Sequence, residues 1–212
     1  PNPRRMALAL VSTSVLVILA LACSAETPPI VFTSDRDGNL EIYAVSVENK
    51  EVQNLTQTAT DEFAPLMSPD GQLVAFRSGP EQNATLETMG ANGGNRQKLV
   101  NGAGSYYNHR WAPGEARLAF IRTLAEQRSL YVINADGTHS MTLTSIPADD
   151  IGTWSPDGRS VLFSVRLGPR QGIYIRNPEG VNEFRVTNTP DYGAVWSPDG
   201  GRIAFLSERD GN

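Results

Sequence analysis

Cysteine is almost missing from this chain. Cys23 is the only one in 212 residues, so no intrachain disulfide can form. Histidine is nearly as scarce: His109 and His139 are the only two. No His-Glu-x-x-His motif surrounds either, so the helix-borne zinc peptidase site is excluded. Gly-x-Ser-x-Gly does not occur, which removes the nucleophile elbow of the α/β-hydrolases. No glycine-rich phosphate loop leads into a helix. Positive charge is also short. There are 18 Lys and Arg against 23 Asp and Glu, a net charge of −5. With no basic stripe between aromatics, nucleic acid is not an expected partner. No apolar run reaches the roughly 20 residues of a membrane-spanning helix.

The longest apolar run, Met6 to Ala22, follows Arg4-Arg5 and is interrupted by Ser12-Thr13-Ser14. A charged start, an apolar middle and small residues after it read as a secretory signal. Cys23 stands directly after Ala20-Leu21-Ala22. That placement resembles a bacterial lipoprotein signal, in which the cysteine becomes the lipidated N-terminus. Ordinary cleavage after Ala22 or Ala25 is the alternative. The expected organisation is a signal over residues 1–25, a linker over 26–29 and a folded unit over 30–212. A lipid anchor at Cys23 would then be the only membrane contact.

What the chain does contain is one phrase written four times. Ser68-Pro69-Asp70-Gly71, Ala112-Pro113-Gly114, Ser155-Pro156-Asp157-Gly158 and Ser197-Pro198-Asp199-Gly200 each lead into an apolar stretch ending in Phe. Those phenylalanines are Phe76, Phe120, Phe163 and Phe205. Phe32 closes an earlier copy that has no turn before it. The residue before each turn is bulky: Met67, Trp111, Trp154 and Trp196, which takes every Trp in the chain. A period of roughly 40–45 residues built from short strands is the signature of a β-propeller with one blade per repeat. The periodic Trp are expected between blades, where a large aromatic buries most surface.

Each repeat reads as four antiparallel strands. The turn chemistry is apt, because Pro presets φ, Asp suits the next position and Gly accepts a left-handed backbone. Ala112-Pro113-Gly114 has lost Ser and Asp, so that turn should differ slightly. The first copy begins at Ile30-Val31-Phe32 as a second strand, and the last strand, Ile203-Ala204-Phe205, is followed only by a turn. Four repeats and a stub are therefore expected, arranged as an open arc.

Trp196-Ser197-Pro198-Asp199-Gly200, then Ile203-Ala204-Phe205, then Ser207-Glu208-Arg209-Asp210-Gly211-Asn212 resembles the TolB-type propeller repeat. Ser34-Asp35-Arg36-Asp37-Gly38-Asn39-Leu40-Glu41-Ile42-Tyr43 continues the same phrase. The resemblance covers residues 29–212. It implies an all-β propeller, six-bladed when complete and monomeric. It also implies an exported binding module for protein or peptide partners at the bacterial cell envelope, periplasmic or lipid-anchored. Such repeats occur in peptidases of the prolyl oligopeptidase and tricorn types too. The alternative is thus a propeller whose catalytic domain lies beyond Asn212.

Loops after the second and fourth strands of each repeat should share one face. The candidate partner-binding residues there are Asp35, Asp37, Glu62, Tyr106, His109, Arg110, Asp149, Asp191 and Tyr192. Glu62, Tyr106, Asp149 and Asp191 stand five positions before the Met or Trp of their repeats. Three acids at one mouth would attract cations or basic peptide groups. The competing reading is that each carboxylate accepts N–H groups in its own loop, as Asp does in Asx-turns. Asp35-Arg36-Asp37-Gly38-Asn39 begins like a calcium loop, but its twelfth position is Ser46 where a Glu is required. No catalytic residue, metal site or cofactor is expected.

Overall fold

The computed structural model describes residues 27–100, 102–144, 146–179 and 183–211. Residues 1–25, expected to be a signal, and Cys23 within them lie outside the described residues. Among the described residues, seventeen strands form five antiparallel sheets in chain order. The first sheet joins β1 (Ile30–Ser34), β2 (Glu41–Val45) and β3 (Val52–Asn54). The second joins β4 (Glu62–Met67), β5 (Leu73–Ser78), β6 (Thr85–Gly90) and β7 (Gln97–Lys98). The third joins β8 (Ser105–Trp111), β9 (Arg117–Leu124), β10 (Gln127–Asn134) and β11 (Met141–Thr142). The fourth joins β12 (Asp150–Trp154), β13 (Val161–Val165), β14 (Gly172–Arg176) and β15 (Glu183–Arg185). A pair, β16 (Tyr192–Trp196) and β17 (Ile203–Leu206), ends the series. Three strands, three sets of four and two strands match the expected four repeats and stub. No strand pairing joins the first sheet to the last among the described residues.

Why the second strand of each blade is apolar on consecutive positions follows from its place. Side chains alternate between the two faces of a strand, and here both faces are covered. Val74 and Phe76 of β5 face the first sheet with Ile42, Ala44 and Leu55. Ala75, between them, faces the third sheet with Leu118 and Phe120. The pattern repeats one blade on. Ala119 and Ile121 of β9 meet Val161 and Phe163 of β13, while Leu162 points the other way, toward Ala194 and Ile203. The core therefore lies between blades, and each fully buried Phe contributes about 1.5–3 kcal/mol by removal from water.

The tryptophans add a polar latch that periodicity did not reveal. Trp111 Nε1 donates to Leu66 O at 2.9 Å, and Trp154 Nε1 donates to Arg110 O at 3.1 Å. Each bond joins the inner strand of one blade to that of the blade before. Trp196 Nε1 is buried without a partner, although Trp196 N donates to Thr153 Oγ1 at 2.9 Å.

The Ser-Pro-Asp-Gly turns are nearly identical. Ser68 Oγ donates to Asp70 Oδ1 at 2.6 Å and accepts Leu73 N at 2.9 Å. Ser155 with Asp157, and Ser197 with Asp199, do the same. The serine hydroxyl holds each aspartate below its ordinary pKa. Gly71, Gly158 and Gly200 have φ of +71°, +70° and +71°. The Ala112-Pro113-Gly114 turn differs more than expected. Its length between paired strand ends is unchanged, with Trp111 opposite Leu118 as Met67 is opposite Val74. Its left-handed residue is Gly114, φ +70°, one position earlier than Gly71 in the aligned phrase. With no Ser–Asp pair to set the turn, Pro-Gly sets it instead.

All four inner strands carry a bulge ahead of the Met or Trp. Ala64, Asn108 and Gly193 take a left-handed φ there. The bulge re-aims the start of each inner strand, and this is where the candidate residues sit.

Candidate functional site

Antiparallel blades with parallel inner strands put the loops after second and fourth strands at one end of the molecule. The candidate residues divide there into a sealed set and an open set. Glu62 is fully buried. It accepts Arg96 Nη2 at 3.0 Å, Ser78 Oγ at 3.2 Å and Thr58 Oγ1 at 2.9 Å. Arg96 also donates to the buried Glu87 at 2.7 Å and lies over Phe76, 5.0 Å from its centroid. Elsewhere a Tyr stacks on that Phe, as in Phe120–Tyr131 and Phe163–Tyr174. The second blade has Glu87 opposite Phe76, so a guanidinium fills the place of the ring.

The same logic holds at the other copies. Asp191 is buried and accepts Arg209 Nη2 and Thr189 Oγ1, both at 2.7 Å. Burial alone would raise its pKa; hydrogen bonds from Ser207, Thr189 and Thr187, with the Arg209 charge, bring it below the ordinary value. Asp149 accepts Arg128 Nη1 at 2.6 Å and Arg166 N at 2.7 Å. Tyr106 is buried against Phe120 and donates to Gly102 O at 3.2 Å. The expected trio of solvent-facing acids is thus not what the structure holds. Each acid is matched by an arginine, which offsets much of the cost of taking a charge out of water, although Asp191 Oδ1 is buried without a partner of its own. The sequence missed Arg96 and Arg128 because they are far from their acids in the chain.

His109 is buried as well. Burial lowers its pKa from 6.5 to about 4, aided by the charges of Arg110 and Arg77. Its Nδ1 has no partner. Arg110 is exposed and donates to His109 O at 3.0 Å. His139 sits in the β10–β11 turn beside Thr138 and Asn134, at the other end of the blades. Asp35 and Asp37 are exposed in the β1–β2 turn. Asp37 accepts Tyr43 OH and Asn54 Nδ2, and these bonds lower its pKa. Among the described residues, no group of three or more His, Cys, Asp or Glu could hold a metal ion.

The open set borders a groove of about 620 Å³ between the third blade, the fourth blade and the last strand pair. Arg128, Asp149, Arg166, Leu167, Gln171, Pro190 and Glu208 line it. Arg166 is half exposed and lies over Tyr192, 4.4 Å from the ring centroid. It approaches Glu208 only to 4.0 Å, while Tyr192 OH donates to Glu208 at 3.2 Å. Leu167 beside it is 81% exposed. An under-committed guanidinium next to an exposed Leu can take a carboxylate adjoining an apolar side chain. The β13–β14 loop that carries both was not singled out in the sequence, because it lies between the phrases that define the repeat; Arg77-Ser78-Gly79-Pro80-Glu81 after β5 is similar but has Ser in place of the exposed Leu.

The blades, their inter-blade core and their periodic turns define a β-propeller. Residues 7–189 match the family model described as the TolB beta propeller domain, and the chain belongs to that family. It is 32% identical over 115 residues to "Protein TolB homolog" of Chlorobaculum tepidum, covering 54% of this chain and 26% of that protein. It is 29% identical over 119 residues to "Tol-Pal system protein TolB" of Desulfosudis oleivorans, with the same 54% and 26%. The crystal structure of TolB from Acinetobacter baumannii aligns with a TM-score of 0.66 at 15% identity. That alignment covers 87% of this chain and 47% of the other, and it speaks to the fold alone. The matched segments thus span about a quarter of the curated relatives and about half of the solved one.

Proposed function

We propose that this propeller is a non-catalytic binding module of an exported envelope protein, and that it engages a protein or peptide at the loop face. The observation that carries the reading is the groove with Arg166 and Leu167 on its rim. Glu62 and Asp191 on the same face are already matched by the chain's own arginines, and within the groove Asp149 is paired with Arg128, which leaves Arg166 and Leu167 as its least committed side chains. Family membership and the Tol-Pal name of a relative support the envelope setting. Replacing Arg166 by Glu and Leu167 by Asp together should weaken partner binding by at least tenfold, while circular dichroism and the unfolding midpoint stay unchanged. Both side chains are exposed, and surface changes of this kind shift stability by only about 0.5 kcal/mol. Undiminished binding by the folded double variant would reject the groove.

A further inference from the structure

Phe32, Phe120 and Phe163 each carry a stacked tyrosine from the next strand of their blade: Tyr43, Tyr131 and Tyr174. The three tyrosines hold one place in the repeat, so two serve as controls for the third. Tyr43 OH donates to the Asp37 carboxylate, and Arg36 lies over Tyr43, 4.5 Å from its centroid. Tyr174 OH donates to Arg170 O at 2.6 Å. Both acceptors come from the loop that joins the two strands, residues 35–40 in one blade and 166–171 in the other.

The third blade has no such loop. β9 and β10 stay paired as far as Leu124 opposite Gln127, and only Ala125 and Glu126 join them, with φ of +47° and +65°. Two left-handed residues make a tight hairpin turn, and it lies too far along the strands to reach the Tyr131 ring. Tyr131 OH accordingly makes no hydrogen bond to any described residue. The acid is missing from this blade as well. Tyr106 stands where Glu62, Asp149 and Asp191 stand in the other copies, each of them paired with an arginine. Arg122 lies over Tyr106, 6.0 Å from its centroid, and donates Nε and Nη2 to Ala103 O at 3.2 and 2.8 Å. Those bonds leave guanidinium N–H donors over, and Arg122 makes no ion pair with any described residue. Its place is fixed from behind. Gly104, φ +120°, lets the backbone pass so close that a Cβ there would meet Thr123 O at 2.6 Å.

Tyr131 and Arg122 line one cavity of about 260 Å³ between the second and third blades, with Leu99 and Val100 on the side of the second blade. We propose that this cavity binds a small organic acid, its carboxylate on Arg122 and the Tyr131 hydroxyl, its apolar body against Leu99 and Val100. A carboxylate accepts from both donors, as Asp37 does from Tyr43 beside Arg36 in the first blade, and charge-assisted bonds of this kind are the strong ones. A concave site with an apolar wall and a few convergent polar groups suits a small ligand. The cavity shares no lining residue with the groove, so the two stand or fall separately.

The test uses the purified chain and phenylacetate, with binding read by saturation-transfer NMR. Saturable binding is expected. Phenylacetamide, the neutral isostere, should bind about tenfold more weakly, the loss of a bond to a charged group. Arg122→Gln should weaken phenylacetate by a similar factor and remove the preference for acid over amide. Tyr131→Phe keeps the ring stacked on Phe120 and should cost about fivefold, the loss of one neutral donor. The comparison of acid with amide leaves the chain untouched, so it reads the contact whether or not the Arg122 variant folds. The peptide acetyl-Gly-Asp-Gly-amide, which carries its carboxylate on a peptide, should bind more weakly than phenylacetate. The proposal is overturned by absence of saturable binding, by equal affinity of phenylacetamide, or by a Tyr131→Phe chain that binds phenylacetate as before. It is also overturned if the peptide binds more tightly than phenylacetate, which would make the occupant a protein side chain.

Discussion

The second, third and fourth blades and the final strand pair share one phrase but not one environment. Phe76, Phe120 and Phe163 are 0%, 1% and 0% exposed, whereas Phe205, at the same repeat position, is 38% exposed. The difference is the neighbour. Each inner Phe is covered by the sheet before it and by its own third strand, as Phe163 is by Ala119, Ile121 and Tyr174. β17 has no third strand beside it among the described residues. A repeat residue thus takes its energetic role from stacking, and stability is a sum over interfaces as much as over blades.

The largest expected break in this comparison is Phe163→Ala against Phe205→Ala. The first opens a cavity in a closed interface and should cost about 3–5 kcal/mol. The second removes a side chain already partly in water and should cost about 1 kcal/mol. Urea unfolding at unchanged slope reads both. Equal losses would mean that the end pair is as well packed as the inner blades.

The two histidines give the next contrast. His109 is buried in an inner strand, and His139 is exposed in a turn. The unfolded chain protonates His109 near 6.5 and the folded chain near 4. The unfolded state therefore binds more protons between those values, and stability falls as pH drops from about 6.5 to about 4. At about 1.4 kcal/mol per pH unit, the full loss is about 3 kcal/mol. His109→Gln should flatten that slope and His139→Gln should leave it. A slope that survives His109→Gln belongs to another group.

The smallest effect concerns the latch. Trp111→Phe removes the bond to Leu66 O and should cost about 1 kcal/mol beyond the lost ring area. Trp196→Phe removes an indole N–H that has no partner and should show no such excess. Thermal unfolding of the pair separates the two cases, and equal penalties would mean that Trp196 Nε1 is bonded in solution.

The repeat was legible because turns and core obey local rules. Ser-Pro-Asp-Gly encodes its turn within a few residues, and Val161-Leu162-Phe163 encodes a strand buried on both faces. The candidate site was less legible. Glu62, Asp149 and Asp191 were found by position, but their arginines lie 34, 21 and 18 residues away in the chain. One comes from a third-to-fourth strand loop, one from a third strand and one from a turn. Nothing in the local sequence says that these charges meet, so the sequence offered an acidic mouth or carboxylates bonded within their own loops, and not arginine partners from elsewhere in the chain. Leu167 was missed because its loop lies between the Ser-Pro-Asp-Gly phrases that organised the reading, and the similar loop after β5 has Ser78 at that place.

The loop face, at its groove, is the surface proposed to meet a partner. Site-specific photo-crosslinking in cells tests it most directly. A crosslinking residue at Leu167, on the groove rim, is compared with one at Ser140, exposed in the turn at the opposite end of the blades. A discrete protein adduct is expected from position 167 and none from position 140. Adducts from position 140 alone, or equally from both, would contradict it.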